Sequence, residues 1–303
     1  MTNDARTDTL RDLYESWAKR AAANPTMDLA TMRDMYEESH LLATEPEGIT
    51  YRNVDANGVS AMWVIPEGAP DDAAIIYTHG GGCSIMSMHS HRKLAGHLAK
   101  AAGVKVLNLD YRLAPEHPYP AQLDDAQAAY RWLLEQGIDP QRIATAGDSA
   151  GGNLATTLVL ALRDAGEQTP AAIVGFSPWY DMEHKGRTLE SNAATDALVQ
   201  RPVVEMMAQM FLGENGSPTD PLTNPLYADP TGLPPMYLTA GGYETLQDNA
   251  ERFADLARNA GVDVTLEITP GMQHVFPFMA GHSPEADAAI TAAGNFLRRH
   301  LGL

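Results

Sequence analysis

The sequence has only one cysteine and few basic residues. Cys83 is the single cysteine among 303 residues, so no disulfide can form within the chain and an oxidising compartment is not implied. Lysine and arginine number 21 against 39 acidic residues, which gives a formal net charge of -18. This charge argues against nucleic acid or an anionic membrane surface as a partner.

Long apolar runs and a targeting signal are also missing. No stretch is apolar for long enough to span a bilayer, so we expect no membrane partner. The first twenty residues are polar and charged and contain no apolar segment of the secretory type, so we expect a cytoplasmic protein. Apolar residues make up 44% of the chain, which is enough for a large hydrophobic core.

Hydrophobic periodicity predicts strands that alternate with helices over most of the chain, which is typical of an α/β fold with a mostly parallel sheet covered by helices on both faces. An antiparallel hairpin over 49–54 and 59–65 is predicted first, because Asn57-Gly58 is a hairpin turn signal. The later strands are predicted at 73–78, 104–109, 143–146, 171–176, 235–239 and 262–268.

Two segments do not fit this alternation. Amphipathic helices are predicted at 7–23 and 28–42, before any strand, and a later segment without a clear strand carries a methionine-rich helix. We expect both segments to form a helical cap. The predicted division is cap 1–48, catalytic domain 49–181 and 230–303, and inserted cap segment 182–229. The apolar residues of the methionine-rich helix have two alternative interpretations, as part of the core or as the lining of a pocket. As pocket lining, the predicted substrate contacts are Met206, Met210 and Phe211.

The stretch Gly147-Asp148-Ser149-Ala150-Gly151 follows a short apolar strand and precedes a run of helix formers. It fits Gly-x-Ser-x-Gly, the nucleophile elbow, in the strand–turn–helix context that this motif needs. The glycines give the room that a strained turn requires. The motif alone is weak, because a glycine-rich turn without chemistry would look the same. If it is an elbow, Ser149 stands at a helix N-terminus, where developing negative charge is favoured.

A second glycine-rich loop, His79-Gly80-Gly81-Gly82, follows the predicted strand 73–78. Such a loop lets backbone N–H groups face a ligand oxygen, and acyl transfer needs donors preset where an oxyanion forms. We therefore expect the N–H groups of Gly81, Gly82 and Ala150 to form an oxyanion hole.

The proline-rich stretch 110–121 lies between these two motifs. Its prolines predict a rigid loop after a strand end, with Arg112 and Glu116 able to pair within it. We expect this loop to buttress the glycine turn. We therefore do not expect His117 to act as a base.

Taken together and in this order, the motifs 79–82, 111–118 and 147–151 resemble the hormone-sensitive-lipase-like branch of the α/β-hydrolases, the bacterial family IV esterases, in the Gly-Asp-Ser-Ala-Gly subgroup. The resemblance covers most of the chain from about residue 54. It implies the α/β-hydrolase fold with an eight-stranded sheet and a cap. It also implies hydrolysis of small, short- to medium-chain acyl esters with no metal or organic cofactor, and lactones are a further substrate class in this branch.

A serine nucleophile needs a base and an orienting carboxylate, which follow it in this fold in the order Ser, acid, His. His274 lies in a loop directly after the strand 262–268, and the family's Gly-Met-x-His run matches it. Aligning the family's Asp-Pro-Leu-x-Asp loop puts Glu244 at the acid position. Asp248 is the alternative acid, and otherwise it would cap the following helix.

The sequence therefore predicts a serine carboxylesterase with Ser149, Glu244 and His274 as its triad. A lactone hydrolase, a peptidase or amidase, and a non-catalytic receptor on the same fold are the alternatives. The receptor is disfavoured because such relatives lose the triad histidine, which is present here. The expected partner is a small ester; a homodimer remains open, because the sequence does not fix the oligomeric state.

Overall fold

A single eight-stranded sheet runs through the centre of the computed structural model, which describes residues 7–214 and 216–303. The strand order is β1-β2-β4-β3-β5-β6-β7-β8. The strands are β1 (Ile49–Ala56), β2 (Val59–Pro66), β3 (Ala74–Thr78), β4 (Lys105–Leu109), β5 (Ile143–Asp148), β6 (Ala172–Phe176), β7 (Met236–Gly241) and β8 (Val264–Thr269).

The sheet is antiparallel only at one edge. Strand β2 pairs antiparallel with β1 and β4, and every later pair, from β3–β4 to β7–β8, is parallel. The β1–β2 turn places Asn57 at φ 56° and Gly58 at φ 86°. These are the positive angles that a two-residue hairpin turn with the right twist requires. The predicted hairpin and the predicted mostly parallel sheet of eight strands are both confirmed.

Helices cover both faces of the sheet and flank its strand ends. They are α1 (Thr7–Ala23), α2 (Leu29–Glu37), α3 (Arg92–Ala102), α4 (Ala121–Glu135), α5 (Ala150–Asp164), α6 (Thr188–Ser191), α7 (Arg201–Leu212), α8 (Gln247–Asn259) and α9 (Pro284–His300). None of the helices in these described ranges is long and apolar enough to cross a membrane.

Two hydrophobic cores follow from the alternation of side chains along each strand. In β3, Ile75 packs into the core that includes Leu98 of α3 and Ile290 of α9. Its neighbour Ile76 packs into the opposite core, which includes Leu158 of α5. Successive strand residues point to opposite faces, and burying each such side chain contributes about 2 kcal/mol. The central strands are therefore mostly apolar on both faces, with a few buried polar side chains such as Thr145 in β5 and Asn108 in β4.

The two segments predicted as a cap add helices to one face of the molecule, and buried side chains such as Trp17 of α1 and Met207 of α7 belong to the same core as Ile75. Helix α2 starts at its N-cap Asp28, whose side chain accepts from the Thr31 N–H at 2.7 Å. It ends at Glu37 and continues as a 3₁₀ turn to residue 41, so it is shorter than the predicted helix over 28–42. The described residues of 182–229 contain α6, α7 and a 3₁₀ turn but no strand.

The charged side chains of the proline-rich loop pair with two helices, α2 and α4. The predicted pair of Arg112 and Glu116 does not form. Arg112 instead pairs with Asp125 of α4 at 2.7 Å, and Glu116 pairs with Arg33 of α2 at 2.7 Å. The Arg33 Nε also donates to the carbonyl of Ser84 at 2.9 Å. The prediction was wrong because it considered only partners within the loop, whereas the fold supplies partners from two helices.

Candidate active site

Ser149 occupies a strained turn between β5 and α5, with φ 51° and ψ −123°. A positive φ costs a non-glycine residue about 1–3 kcal/mol. Two backbone hydrogen bonds hold the turn in this conformation. The Ser149 N–H donates to the carbonyl of Phe176 at 2.9 Å, and the Ser149 carbonyl accepts from the Trp179 N–H at 2.9 Å. A side chain at Gly147 would bring a Cβ within 2.6 Å of the Thr78 carbonyl oxygen. The motif's small residues are therefore required by packing, as the sequence predicts.

His274 reaches this serine from the loop after β8. Its Nε2 lies 3.0 Å from the Ser149 Oγ, which is hydrogen-bonding distance. The imidazole is buried, with 3% exposure. The other ring nitrogen, Nδ1, lies 3.5 Å from the Oε2 of Glu244. The structure therefore brings together the three residues that the sequence predicts as a triad, across three separate loops.

Glu244 is fully buried, and its carboxylate is held in place by two donors. Its Oε2 accepts from the Ser177 hydroxyl at 2.7 Å and from the Gly241 N–H at 3.2 Å. These two hydrogen bonds fix the carboxylate beside the imidazole of His274.

Asp248, the alternative acid, faces another part of the molecule. It lies in the first turn of α8, and its carboxylate accepts from the Thr188 N–H at the start of α6, at 3.3 Å. The N-cap of α8 is Leu246, so the predicted capping role of Asp248 does not occur. Because Asp248 is one residue inside the helix, its side chain reaches a neighbouring helix instead of the free N–H groups of its own.

Burial and charge act in opposite directions on His274. Burial is the largest single influence and lowers the pKa of the imidazole. The nearby carboxylate of Glu244, 3.5 Å from Nδ1, outweighs it together with smaller contributions from Asp196 and Asp148. The net result is a pKa above the ordinary histidine value. The site therefore stabilises the imidazolium that forms when His274 takes a proton.

Residues of the glycine loop line the same cavity as Ser149. Gly81 has φ 103° and Gly82 has φ 60°, angles that side-chain-bearing residues rarely adopt. A Cβ at Gly82 would meet the Met207 Sδ at 2.7 Å. Among the described residues, the N–H groups of Gly81, Gly82 and Ala150 donate to no other group. These are the free donors that an oxyanion hole needs.

A buried polar cluster that sequence reasoning missed lies under the glycine loop. Asp148, next to the nucleophile, accepts from the Tyr77 hydroxyl at 2.8 Å and the Gly80 N–H at 3.1 Å. His91 Nε2 lies 3.2 Å from the other carboxylate oxygen. Burial is the largest influence and raises the pKa of Asp148, but His91 and Tyr77 outweigh it, so the pKa is lowered. The ionised Asp148 ties the glycine loop to the elbow.

Ser149 and His274 open into an apolar cavity of about 70 Å³. Tyr14 of α1 and Tyr36 of α2 line one part of it, so the N-terminal helices contribute directly to the site. Other lining residues come from the glycine loop, the segment before α7, α7 itself and the loop after His274; they include Gly81, Gly82, Ile85, Leu198, Val203, Val204, Met207 and Phe278.

The predicted substrate contacts on α7 do not line this cavity. Met206 is 37% exposed, and Met210 packs partly buried at the edge of the core. Phe211 lines a smaller neighbouring cavity with Ala150. Residues 206 and 210 are four apart and share one side of the helix, whereas 203 and 207 share the side that faces Ser149. The prediction identified the right helix, but Met206 and Met210 lie on the wrong face, and Phe211, on the same side as Met207, lies at the neighbouring cavity. Met207 is the α7 methionine at the site.

The arrangement carries the features that acyl transfer needs: a strained serine, a base within reach, an orienting carboxylate and free backbone donors. Among the described residues, no cluster of three or more His, Cys, Asp or Glu side chains is arranged to hold a metal ion.

Comparisons with known proteins identify the fold and the family of the chain. A family model for the α/β hydrolase fold matches residues 75–278. The chain is similar to an acetyl-hydrolase from Streptomyces hygroscopicus, with 43% identity over 243 residues that cover 80% of this chain and 81% of that protein.

Two solved structures extend the comparison. The chain resembles an esterase from the bacterial hormone-sensitive lipase family, with a TM-score of 0.94 and 43% identity, covering 100% of each chain. It also resembles the esterase EstE5, studied in a crystal soaked with p-nitrophenyl butyrate, with a TM-score of 0.90, 34% identity and 99% of each chain covered.

Proposed function

This chain belongs to the α/β-hydrolase family, in its hormone-sensitive-lipase-like branch of carboxylic-ester hydrolases, and we propose that it works through a covalent acyl-enzyme formed on Ser149. The observation that carries this proposal is the 3.0 Å approach of His274 Nε2 to the Ser149 Oγ at a strained elbow. Nucleophile and base within hydrogen-bonding reach, with a third group to orient the base, is the signature of nucleophilic catalysis.

In the acylation step, the Ser149 Oγ attacks the ester carbonyl carbon while His274 Nε2 takes the hydroxyl proton. The negative charge that develops on the carbonyl oxygen is stabilised by the N–H groups of Gly81, Gly82 and Ala150. The bond to the alcohol oxygen then breaks, and the alcohol leaves with the proton from His274. Glu244 holds the imidazole in the tautomer that keeps Nε2 free to accept, and it stabilises the imidazolium.

In the deacylation step, His274 takes a proton from a water molecule that attacks the acyl carbon. The tetrahedral intermediate uses the same backbone donors. When it collapses, the bond to the Ser149 Oγ breaks, the serine regains its proton from His274, and the carboxylic acid is released. No step needs a metal ion or an organic cofactor.

The substrates that we propose are esters with short to medium acyl chains. The cavity beside Ser149 is small and lined by apolar and aromatic side chains, which suits an apolar chain of limited length. The names of the relatives support the lower end of this range, since one is an acetyl-hydrolase and another was soaked with a butyrate ester. A lactone follows the same steps, except that the leaving oxygen stays attached to the acyl chain and the product is a hydroxy acid.

The test is a series of p-nitrophenyl esters of graded acyl length, measured beside a lactone. We expect kcat/KM to be highest for acyl chains of about two to eight carbons, because longer chains exceed the small cavity. Faster hydrolysis of emulsified long-chain triglycerides than of soluble short esters would contradict the proposed range. A lactone turned over faster than every linear ester would make lactones the preferred substrate class.

Replacing the nucleophile tests the mechanism. Ser149→Ala should lower kcat by about 10⁴-fold or more with folding intact, because the remaining donors and base cannot form the acyl-enzyme. Ser191→Ala is the matched control, since Ser191 is an exposed serine of α6 whose hydroxyl donates to the side-chain oxygen of Asn192. A Ser149→Ala protein that keeps about a tenth of wild-type activity would refute the assignment.

A further inference from the structure

One peptide unit next to the base is held at both of its polar atoms. The carbonyl oxygen of His274 accepts from the Tyr14 hydroxyl at 2.9 Å. The N–H of the following residue, Val275, donates to the Ser177 hydroxyl oxygen at 3.0 Å. The two side chains that bond to this peptide come from distant parts of the chain, Tyr14 from α1 and Ser177 from the loop after β6, and both are buried.

This peptide unit needs such support. Val275 has φ 50° and ψ 44°, in the left-handed region, which is a genuine outlier for a β-branched residue. A conformation of this kind costs on the order of 1–3 kcal/mol and persists only where the surroundings over-determine it. This strained residue directly follows the residue that carries the base.

The Ser177 hydroxyl also connects this peptide to the acid. A backbone N–H can only donate, so the Ser177 oxygen must accept from Val275, and its single proton is left for Glu244 Oε2 at 2.7 Å. Ser177 is fully buried and has φ 49°, so its side chain has little freedom to take another partner. One hydroxyl therefore fixes the acid and the base loop relative to each other.

We propose that Tyr14 and Ser177 are positioning residues that together clamp the His274–Val275 peptide and so aim the imidazole at Ser149 and Glu244. The inference rests on the proposed function, because it assigns these residues a role through the base rather than through contact with the reacting atoms. It also gives α1 a second task beside lining the cavity, since the helix secures the base from outside the sheet.

Tyr14→Phe is the cleaner test, because it removes one hydroxyl and leaves the ring that lines the cavity. We expect kcat to fall about tenfold with KM nearly unchanged, since one hydrogen bond to a strained peptide is lost. Tyr130→Phe is the matched control: its hydroxyl donates to a backbone carbonyl, that of Gln168, away from the site. It should lower the melting temperature without changing kcat.

Ser177→Ala removes both bonds of the serine, and we expect kcat to fall about 100-fold, the cost of a misplacement near 1 Å. The double variant with Tyr14→Phe should lose less than the product of the two single losses, because both residues hold the same peptide. Ser283→Ala, which removes the buried N-cap of α9, controls for lost stability.

The pH dependence of kcat/KM distinguishes a role in positioning His274 and Glu244 from a purely structural role of Ser177. The groups that face His274 are the anions Glu244, Asp196 and Asp148 and the neutral Tyr14. Of these anions, Glu244 is the one bonded by Ser177. If Ser177→Ala lets Glu244 turn away, the acidic limb of kcat/KM should move to lower pH, because the imidazolium loses its main support. A limb that stays in place or moves to higher pH would overturn the role of Ser177.

Two outcomes distinguish this proposal from the function on which it rests. The clamp would be overturned if Tyr14→Phe kept the wild-type kcat, or if Tyr14→Phe and Tyr130→Phe lost kcat equally. The acyl-enzyme mechanism would stand in either case, provided that Ser149→Ala abolished turnover. Full activity in Ser149→Ala would instead refute the acyl-enzyme mechanism itself. If Ser177→Ala does not fold, the kcat and KM of Tyr14→Phe still decide whether the peptide is clamped.

Discussion

Replacing Glu244 with glutamine should remove most of the turnover while leaving the fold in place. The two side chains have the same shape, and the amide oxygen can accept the bonds that Ser177 and Gly241 now donate to Oε2. That arrangement keeps an oxygen at the position of Oε2, the atom nearest to His274 Nδ1, so the proton can stay on Nδ1. The substitution then removes the negative charge that stabilises the imidazolium formed when His274 takes the proton of Ser149.

The magnitude follows from the geometry. Glu244 is fully buried, and its Oε2 lies 3.5 Å from Nδ1. With the effective dielectric constant of about 20 that suits protein sites, a unit charge pair at this distance is worth about 5 kcal/mol. Each 1.36 kcal/mol is about a tenfold change in rate, so losing the charge should lower kcat by about 10³- to 10⁴-fold. The equivalent change in the serine-protease triad costs about 10⁴-fold.

The assay compares kcat and melting temperature for Glu244→Gln and Asp248→Asn on one short p-nitrophenyl ester. Asp248 is buried at the start of α8 and bonds to Thr188, so an asparagine there should lower stability slightly and leave turnover within a few-fold of wild type. A collapse of activity in Asp248→Asn, with Glu244→Gln nearly as active as wild type, would refute the assignment of the acid.

Three further outcomes follow from the site. Because the pKa of His274 is raised, kcat/KM should rise with pH along a limb centred above the ordinary histidine value of about 6.5. A plateau already reached at about pH 5 in a pH–rate profile would contradict a histidine base. Met207→Phe should shift the acyl-length profile toward shorter chains because Met207 lines the cavity, whereas Met206→Phe, on the exposed face, should leave the profile unchanged. Gly81→Ala should lower both kcat and the melting temperature, because φ is 103° at this residue and a Cβ would overlap the carbonyl of Ile85. Full activity with an unchanged melting temperature would argue against the loop as the oxyanion hole.

Local sequence patterns were sufficient for the features that depend on neighbours along the chain. The elbow at Ser149 is visible because its strain demands small residues on both sides, and the hairpin at Asn57-Gly58 is visible because only a few residue types adopt its angles. The buried parallel strands are visible because both faces of each are apolar. Glu244 required the resemblance to a family, since a carboxylate in a loop has no local signature.

Features that depend on residues distant along the chain could not be predicted in this way. Tyr14 and His274 are 260 positions apart, and nothing in the sequence around either one indicates a hydrogen bond between them. The face of α7 was also misjudged, because its composition predicts an apolar helix but not which side turns toward Ser149. That choice is made by the packing of α7 against the glycine loop, where Met207 contacts Gly82.

The residues that surround the reacting atoms fall into two buried polar groups, one on each side of Ser149. Asp148 accepts from the backbone of Gly80 and so fastens the oxyanion loop to the elbow. Ser177 does the same for the base loop, through the N–H of Val275. In both cases a side chain beside a strained backbone position satisfies a buried N–H group, which would otherwise be costly to leave without a partner. The strain at the elbow and at the base loop is therefore maintained by the same hydrogen bonds that set the distances for catalysis, so loosening either group should cost stability and turnover together.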